Sequence, residues 1–506
     1  MANISKLFKR KSVEQIQSEY GASELKRTLG PVNLVLLGIG CIIGAGIFVR
    51  TGSAAALHAG PAVVISFIIA GTICAFAGLC YAELASALPV SGSAYTYSYT
   101  TLGEFAAWIM GALLLLEYGL AASTVAVGWS EYFVSLLHDA GIVIPPELTT
   151  AAGRVLTQDD GSTITGVFNL PAAGVSVLMA LLLVVGVSES ANVNNVIVLI
   201  KMTVIIAFCV VGAFFVNPAN WTPFIPEPTG VDGEFGWSGI MRAATIVFFA
   251  YIGFEAVSTA GQEAKNPKRD MPIGIIGSLV ICTILYIATS LVLTGIVPYT
   301  ELNSGAPVAD AVNSFGPGWK WFAVAIKIGA LAGLTSVILV LMYGQTRIFY
   351  TMARDGLLPK PFSSIHKKFR TPWINTILTG VIVAVAGGVF DINTIGDLTS
   401  IGTLAAFAIV CISVMWLRVA RPNLPRGFRV PFGPVIPVVG ILSCVYLIFQ
   451  TPPNVQMFFL WFMIGAVVLY FAYGMWNSNL AKGVVITGHE PPPQDFETPH
   501  PKDPQG

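Results

Sequence analysis

Runs of about twenty apolar residues recur along nearly the whole chain, and a bilayer-crossing helix needs a run of about that length. Twelve are visible, at approximately 31–58, 62–87, 101–136, 171–187, 192–216, 238–263, 271–296, 320–353, 374–390, 397–418, 434–450 and 456–476. These are spans 1 to 12 below. Only 11% of the residues are charged and the mean hydropathy is +0.74, whereas a soluble domain carries about 25% charge. Lipid leaves backbone polar groups no partner but each other. The expectation is an all-α polytopic membrane protein with twelve transmembrane helices. Spans 3 and 8 exceed a bilayer's thickness and should tilt or protrude.

Basic residues set the orientation. With the N-terminus inside, the inner segments carry 21 of the 27 lysines and arginines. The exceptions are Arg50, Arg154, Lys201, Arg242, Lys320 and Lys327. Both termini are therefore expected in the cytoplasm, with the chain in the cell membrane and lipid as its surround. The charged start "MANISKLFKRKSVEQIQSEY" has no apolar core, so no cleavable signal peptide is expected. Formal net charge is zero, which gives no hint of nucleic-acid binding.

The extramembrane parts are small: an outer loop at about 137–170, another at about 217–237, and a Pro-rich polar tail expected to be disordered. Neither loop is long enough for a catalytic domain, so function must sit within the helices. A membrane-embedded enzyme would want His, Asp or Cys clusters there. His58, His138, His366, His489 and His500 all fall at span ends, in loops or in the tail. The seven cysteines lie in apolar spans without a CxxC pair and read as small buried hydrophobes. No cofactor, metal site or enzymatic activity is expected. A channel is disfavoured, because no filter repeat or ring of pore charges appears.

Two spans carry interruptions. Span 1 contains "GIGCIIGAGIF", with Gly38, Gly40, Gly44 and Gly46, and span 6 contains "TIVFFAYIGFEAVSTAGQEAKNP". Glycine weakens a helix interior by roughly 1 kcal/mol relative to alanine. A lone GxxxG would signify close packing. Here the breaks fall in the first span of each half if spans 1–5 and 6–10 are repeats, and such paired interruptions point to a transporter binding site. A broken helix offers free N–H groups at one end, suited to a carboxylate, and free C=O groups at the other, suited to an ammonium. One unwound pair can hold both ends of a zwitterion such as an α-amino acid.

The first of these motifs resembles the first-span signature of the amino acid–polyamine–organocation (APC) superfamily. Within it, "CYAELASALPVSGSAYTYSYTTLGEFAAWIMG", "FFAYIGFEAVSTAGQEAKNPKRDMP" and "GQTRIFYTMARDGLLPKPFSSIHKKFRTP" are similar to the cationic amino acid transporter (CAT) family. The likeness runs from about residue 25 to 476. It implies an APC-type five-plus-five inverted-repeat core with broken helices 1 and 6, plus two further helices. Twelve spans suggest a prokaryotic member. The expected layout is a cytoplasmic arm at 1–30, a first repeat at 31–216, a second at 238–418, spans 11 and 12 at 434–476, and a cytoplasmic tail at 485–506.

The resemblance also implies site residues. The substrate carboxylate should meet the N–H groups of Gly44, Ala45 and Gly46. Its ammonium should meet the carbonyls of Ile42, Phe249, Ala250 and Ile252. Phe249 stands where relatives carry an aromatic gate, though "VFFAY" is aromatic enough for an ordinary packing role. Thr335 and Thr403 are candidates for side-chain selectivity.

Lys201 lies about ten residues into span 5, roughly 14 Å from the membrane edge. A lysine so deep usually faces the bundle interior and is functional; snorkelling is the alternative. Sodium-driven relatives hold Na⁺ between spans 1 and 8, where this chain has Thr335 and Ser336. Proton-coupled relatives place a fifth-span lysine there, and Lys201 matches it. Glu255 follows the second break and either couples protons or ties the break to the bundle. Glu117, deep in span 3, could contact Lys201, meet a cationic substrate side chain, or join an internal ion pair. Lys327 could snorkel and is given no role.

The expected function is proton-coupled symport of L-amino acids by alternating access. The substrates expected are cationic (arginine, lysine, ornithine) or small and neutral, such as alanine. The alternatives are an antiporter or facilitator without proton coupling, and a non-transporting amino acid receptor.

Overall fold

The computed structural model describes residues 9–11, 28–88, 94–157, 163–186, 191–261, 263–480 and 482. The expected tail at 485–506 and most of the arm at 1–30 lie outside the described residues. Each of the twelve apolar runs is helical. Eight helical stretches are long and apolar enough to cross a membrane by length and composition. Four shorter apolar helices, Pro31–Ile42, Leu170–Val185, Trp373–Val389 and Val435–Phe449, account for spans 1 (first half), 4, 9 and 11. The protein is a multi-pass helical membrane protein.

Helix ends follow local chemistry. Asn169 caps Leu170–Val185 by accepting the Ala172 N–H at 3.1 Å, and Asp391 caps Ile392–Ala420 by accepting the Asn393 N–H at 2.9 Å. Leu170–Val185 ends at Gly186, whose φ of +92° suits glycine. Span 3 differs from expectation at its start. It begins at Glu104, and a separate helix, Ala94–Thr101, precedes it. Gly103, at φ +111°, turns the chain between the two. The loop between spans 3 and 4 holds a hairpin, Val155–Thr157 against Thr163–Thr165, which alternation over so few residues could not announce.

Packing separates inner from peripheral helices. The Gly236–Ala260 stretch is 89% buried over its most apolar window, against 17% for Pro453–Asn477. Leu181, Leu199, Val210, Leu460 and Trp461 are all exposed. Such a belt is unfavourable in water and natural in lipid. Span 7 packs along spans 1 and 2, span 6 along span 2, span 8 along span 3, and span 9 along span 4. At the end where the expected cytoplasmic segments lie, buried carboxylates are compensated. Glu83 takes two Arg418 hydrogen bonds, at 2.9 and 2.5 Å, and the Val430 N–H at 2.7 Å. Asp355 takes Lys11 at 2.6 Å and the Tyr95 hydroxyl at 2.7 Å.

Candidate functional site

Both breaks are present and they meet. The first helix ends at Ile42, Ile43 is extended (φ −72°, ψ 102°), and helical geometry resumes with Gly46–Arg50. In span 6, Gly236–Phe248 runs into one tight turn, Phe249–Tyr251. Ile252 is extended (ψ 132°), Gly253 takes φ +118°, and the chain continues as Phe254–Ala260. The positive φ explains the glycine. The approach between breaks explains another: a Cβ on Gly46 would overlap the Cα, Cβ and N of Ala250. Ile42, Gly44, Ala45, Gly46, Phe249, Ala250 and Ile252 are thus brought together, all buried.

A residue outside the sequence reading occupies the carbonyl side. The Tyr286 hydroxyl, on the helix Pro267–Ile296, lies 3.0 Å from the Ile42 carbonyl oxygen and 2.9 Å from that of Ala250. One O–H proton serves two acceptors, one from each broken helix. The Phe249 carbonyl accepts the Ile252 N–H at 3.3 Å. Tyr286 escaped notice because a tyrosine in an apolar span carries no signal of what its hydroxyl will reach.

Lys201, on Ala191–Gly212, has no solvent exposure, and its Nζ donates to the Gly40 carbonyl at 2.8 Å. Its methylenes lie against Gly333 of the helix Lys320–Arg354, one turn before buried Ser336. The side chain therefore links the first half of span 1, through its ammonium, to span 8, through its stem. Thr335 donates to Leu331 O at 2.7 Å and accepts Trp129 Nε1–H at 3.0 Å. Thr403 is fully buried and turns its hydroxyl onto its own helix, 3.0 Å from Thr399 O.

Glu117 sits in Leu115–Leu120, a turn widened to i→i+5 bonding inside span 3. Such widened turns are frequent at functional sites. Its carboxyl neighbours that of Glu255. Glu255 accepts the Gly253 N–H at 2.9 Å, so it ties down the second break, and it is 3.4 Å from the Tyr118 hydroxyl. Lys327, which could snorkel on the sequence alone, has a side chain 1% exposed, and its Nζ reaches Asp139, itself 37% exposed, at 2.5 Å.

Above the breaks sits a charged cluster. Arg50, at the end of Gly46–Arg50, is fully buried and pairs with Asp397 at 2.7 Å, while Arg242 binds the other Asp397 oxygen. The Arg50 Cζ is 5.4 Å from the centre of the Phe249 ring, a cation–π arrangement. The cluster joins the second half of span 1 and the first half of span 6 to span 10. A mixed-sign set of charges inside apolar spans is the signal that could have found it. A separate cavity of about 450 Å³ opens beside it, lined by Glu131, His138, Arg154, Asp310 and Asp391 among others.

The chain is similar over most of its length to known permeases and transporters. The amino acid permease family model matches residues 29–473. A methylthioribose transporter of Bacillus subtilis is 46% identical over 482 residues, covering 95% of this chain and all of that protein. The branched-chain amino acid permease BcaP of the same organism is 45% identical, covering 94% and 99%. The chloroplastic cationic amino acid transporter 9 of Arabidopsis thaliana is 40% identical, covering 80% and 68%. With two facing helix breaks in a multi-pass helical bundle and a family match across nearly its whole length, the chain belongs to the amino acid permease family of the APC superfamily, as a prokaryotic-type member related to the cationic amino acid transporters.

Proposed function

We propose that this chain is a proton-coupled symporter that imports L-amino acids by alternating access. The observation that carries the reading is the meeting of two helix breaks beside a buried lysine. The substrate's carboxylate is held by the N–H groups of Gly44, Ala45 and Gly46. Its ammonium is held by the carbonyls of Ile42, Phe249, Ala250 and Ile252. Phe249 closes over it, and Thr335 and Thr403 border the side chain. The Lys201 ammonium braces span 1 against span 8 in the substrate-ready state, with Ser336 alongside. Its deprotonation toward the inner side loosens the brace and releases substrate. Glu117 and Glu255 form a second candidate station for the coupled proton.

The architecture proposed is twelve crossings in the cell membrane, both termini cytoplasmic, with repeats at 31–216 and 238–418 followed by 434–476. The packing of span 2 on 7, 3 on 8 and 4 on 9 supports the repeat, since each helix meets its counterpart five spans later. Substrate arriving from outside must part span 10 from the outer halves of spans 1 and 6, and so must open the Arg50–Asp397 pair.

Uptake into proteoliposomes tests the proposal. Labelled leucine, alanine, lysine and arginine are offered in sodium-free buffer, with an inward proton gradient imposed or collapsed. Gradient-dependent accumulation of at least one is expected. Exchange alone, indifferent to the gradient, would make the protein an antiporter or facilitator and leave Lys201 a structural brace. The 46% identity to a methylthioribose transporter favours a second reading, a neutral thio-sugar as cargo, so methylthioribose belongs in the same screen.

Tyr286→Phe has a signed outcome under this proposal. It leaves two buried carbonyls without that donor, at a penalty of about 1–3 kcal/mol. The melting temperature in detergent falls in the absence of substrate. An amino acid supplies the missing donor through its ammonium, so the substrate-induced rise in melting temperature is larger in the variant than in the parent protein.

A further inference from the structure

We infer that the Arg50–Arg242–Asp397 cluster selects the substrate's side chain: it admits neutral amino acids and rejects cationic ones. The inference rests on the site proposed above and supplies its substrate class.

The cluster is a buried triad of two guanidinium groups around one carboxylate. Asp397 spends one oxygen on each arginine, so one positive charge is left uncancelled. The nearby Asp391 offsets it only in part, because Asp391 is itself paired with Arg154 at 2.8 Å. The surplus is local and poorly screened. Arg50 has no exposed surface, and Asp397 is 3% exposed.

Two donors of Arg50 are also unspent. Its Nη2 holds Asp397, while Nε and Nη1 have no hydrogen-bond partner among the described residues. Both lie near Gly396 of span 10, where a Cβ would collide with the guanidinium. The group as a whole is stacked over Phe249, which precedes Ala250 in the second break. On the site proposed above the Phe249 ring covers the substrate, so the ring is what stands between the substrate and this charge. A lysine or arginine head brought there meets a like charge in a weakly screened setting and offers only donors to a group that already has donors to spare. A neutral chain meets no repulsion.

The test uses norleucine and lysine, which share a four-carbon stem and differ in the ammonium that lysine adds at its end. Binding is read by thermal shift and by competition against a labelled neutral amino acid, in the full-length protein. Norleucine is expected to bind more tightly than lysine by about tenfold or more. Arg242→Gln removes the surplus charge and keeps the Arg50–Asp397 pair, so the norleucine-to-lysine ratio should shrink by roughly fivefold or more. Asp397→Asn raises the surplus, so the ratio should grow. Opposite movements of a ratio cannot come from general damage to the fold, which would weaken both ligands together. Should Asp397→Asn not fold, Arg242→Gln alone decides the matter. Lysine binding as tightly as norleucine in the parent protein, or a ratio unmoved by Arg242→Gln, overturns the inference while leaving amino acid transport intact. Failure of every amino acid to bind overturns both.

Discussion

Lys201→Ala is expected to reduce proton-driven accumulation in proteoliposomes by about tenfold or more, the loss that follows when a buried charge-assisted hydrogen bond is removed. The side chain is wholly enclosed, its Nζ donates to the Gly40 carbonyl at 2.8 Å, and its stem lies on Gly333. Truncation removes both the bridge from span 1 to span 8 and the titratable group. Lys201→Gln separates those roles, because an amide can still donate to Gly40 but cannot carry a proton. Exchange of labelled for unlabelled substrate should largely survive in Lys201→Gln while accumulation against a gradient is lost. If Lys201→Ala accumulates substrate as well as the parent under a proton gradient, the coupling role is wrong. If Lys201→Gln restores accumulation, the lysine is a brace and nothing more.

Gly46→Ala is expected to be far more damaging than Gly44→Ala, although the two glycines stand two residues apart in one motif. At Gly46 a methyl would occupy the space of the Ala250 backbone, including its N at 2.8 Å. Backbone in a break pinned by Tyr286 and Glu255 cannot yield as a side chain would. The breaks must separate, at roughly 3 kcal/mol or more, beyond the usual range for an added methylene. At Gly44 the nearest atoms to a new methyl are the two Val337 methyls at 3.6 Å, ordinary contact. Size-exclusion profiles and melting curves in detergent should leave Gly44→Ala near the parent protein. Gly46→Ala should melt markedly lower or fail to yield folded protein, and where it folds, substrate binding should be absent. Equal tolerance of both substitutions would mean that the breaks do not meet as described.

These two residues also mark how far the sequence could be read. That span 1 breaks near Gly44 was legible from four glycines in an apolar run, because a helix in lipid rarely dispenses with its hydrogen bonds without reason. That Gly46, rather than Gly44, bears the contact was not legible, since the contact is made by Ala250, about two hundred residues away. Lys201 was legible by depth alone: a mid-span lysine has few tolerable surroundings. Its acceptor, Gly40, was not. Glu117 and Glu255 were each visible as deep carboxylates, and only folding set them side by side.

The misses have one physical origin. Lys327 was given no role, because periodicity along one helix cannot reveal that Asp139 of another waits within 2.5 Å. Arg50 and Arg242 entered the sequence reading only as exceptions to the basic asymmetry, and Asp397 not at all, because their pairing exists only in three dimensions. Tyr286 carries no local signature at all.

The amino-acid sequence by itself determined that the chain lives in a membrane, which stretches become helices, where two of them break, and which family it joins. Those properties depend on hydrophobicity, glycine content and short motifs, all local in the chain. The tertiary structure alone decided what each break faces, which donor holds its carbonyls, and which charge is left over beside the site. Those depend on directional contacts of a few ångströms between residues far apart in sequence, and packing is what sets them.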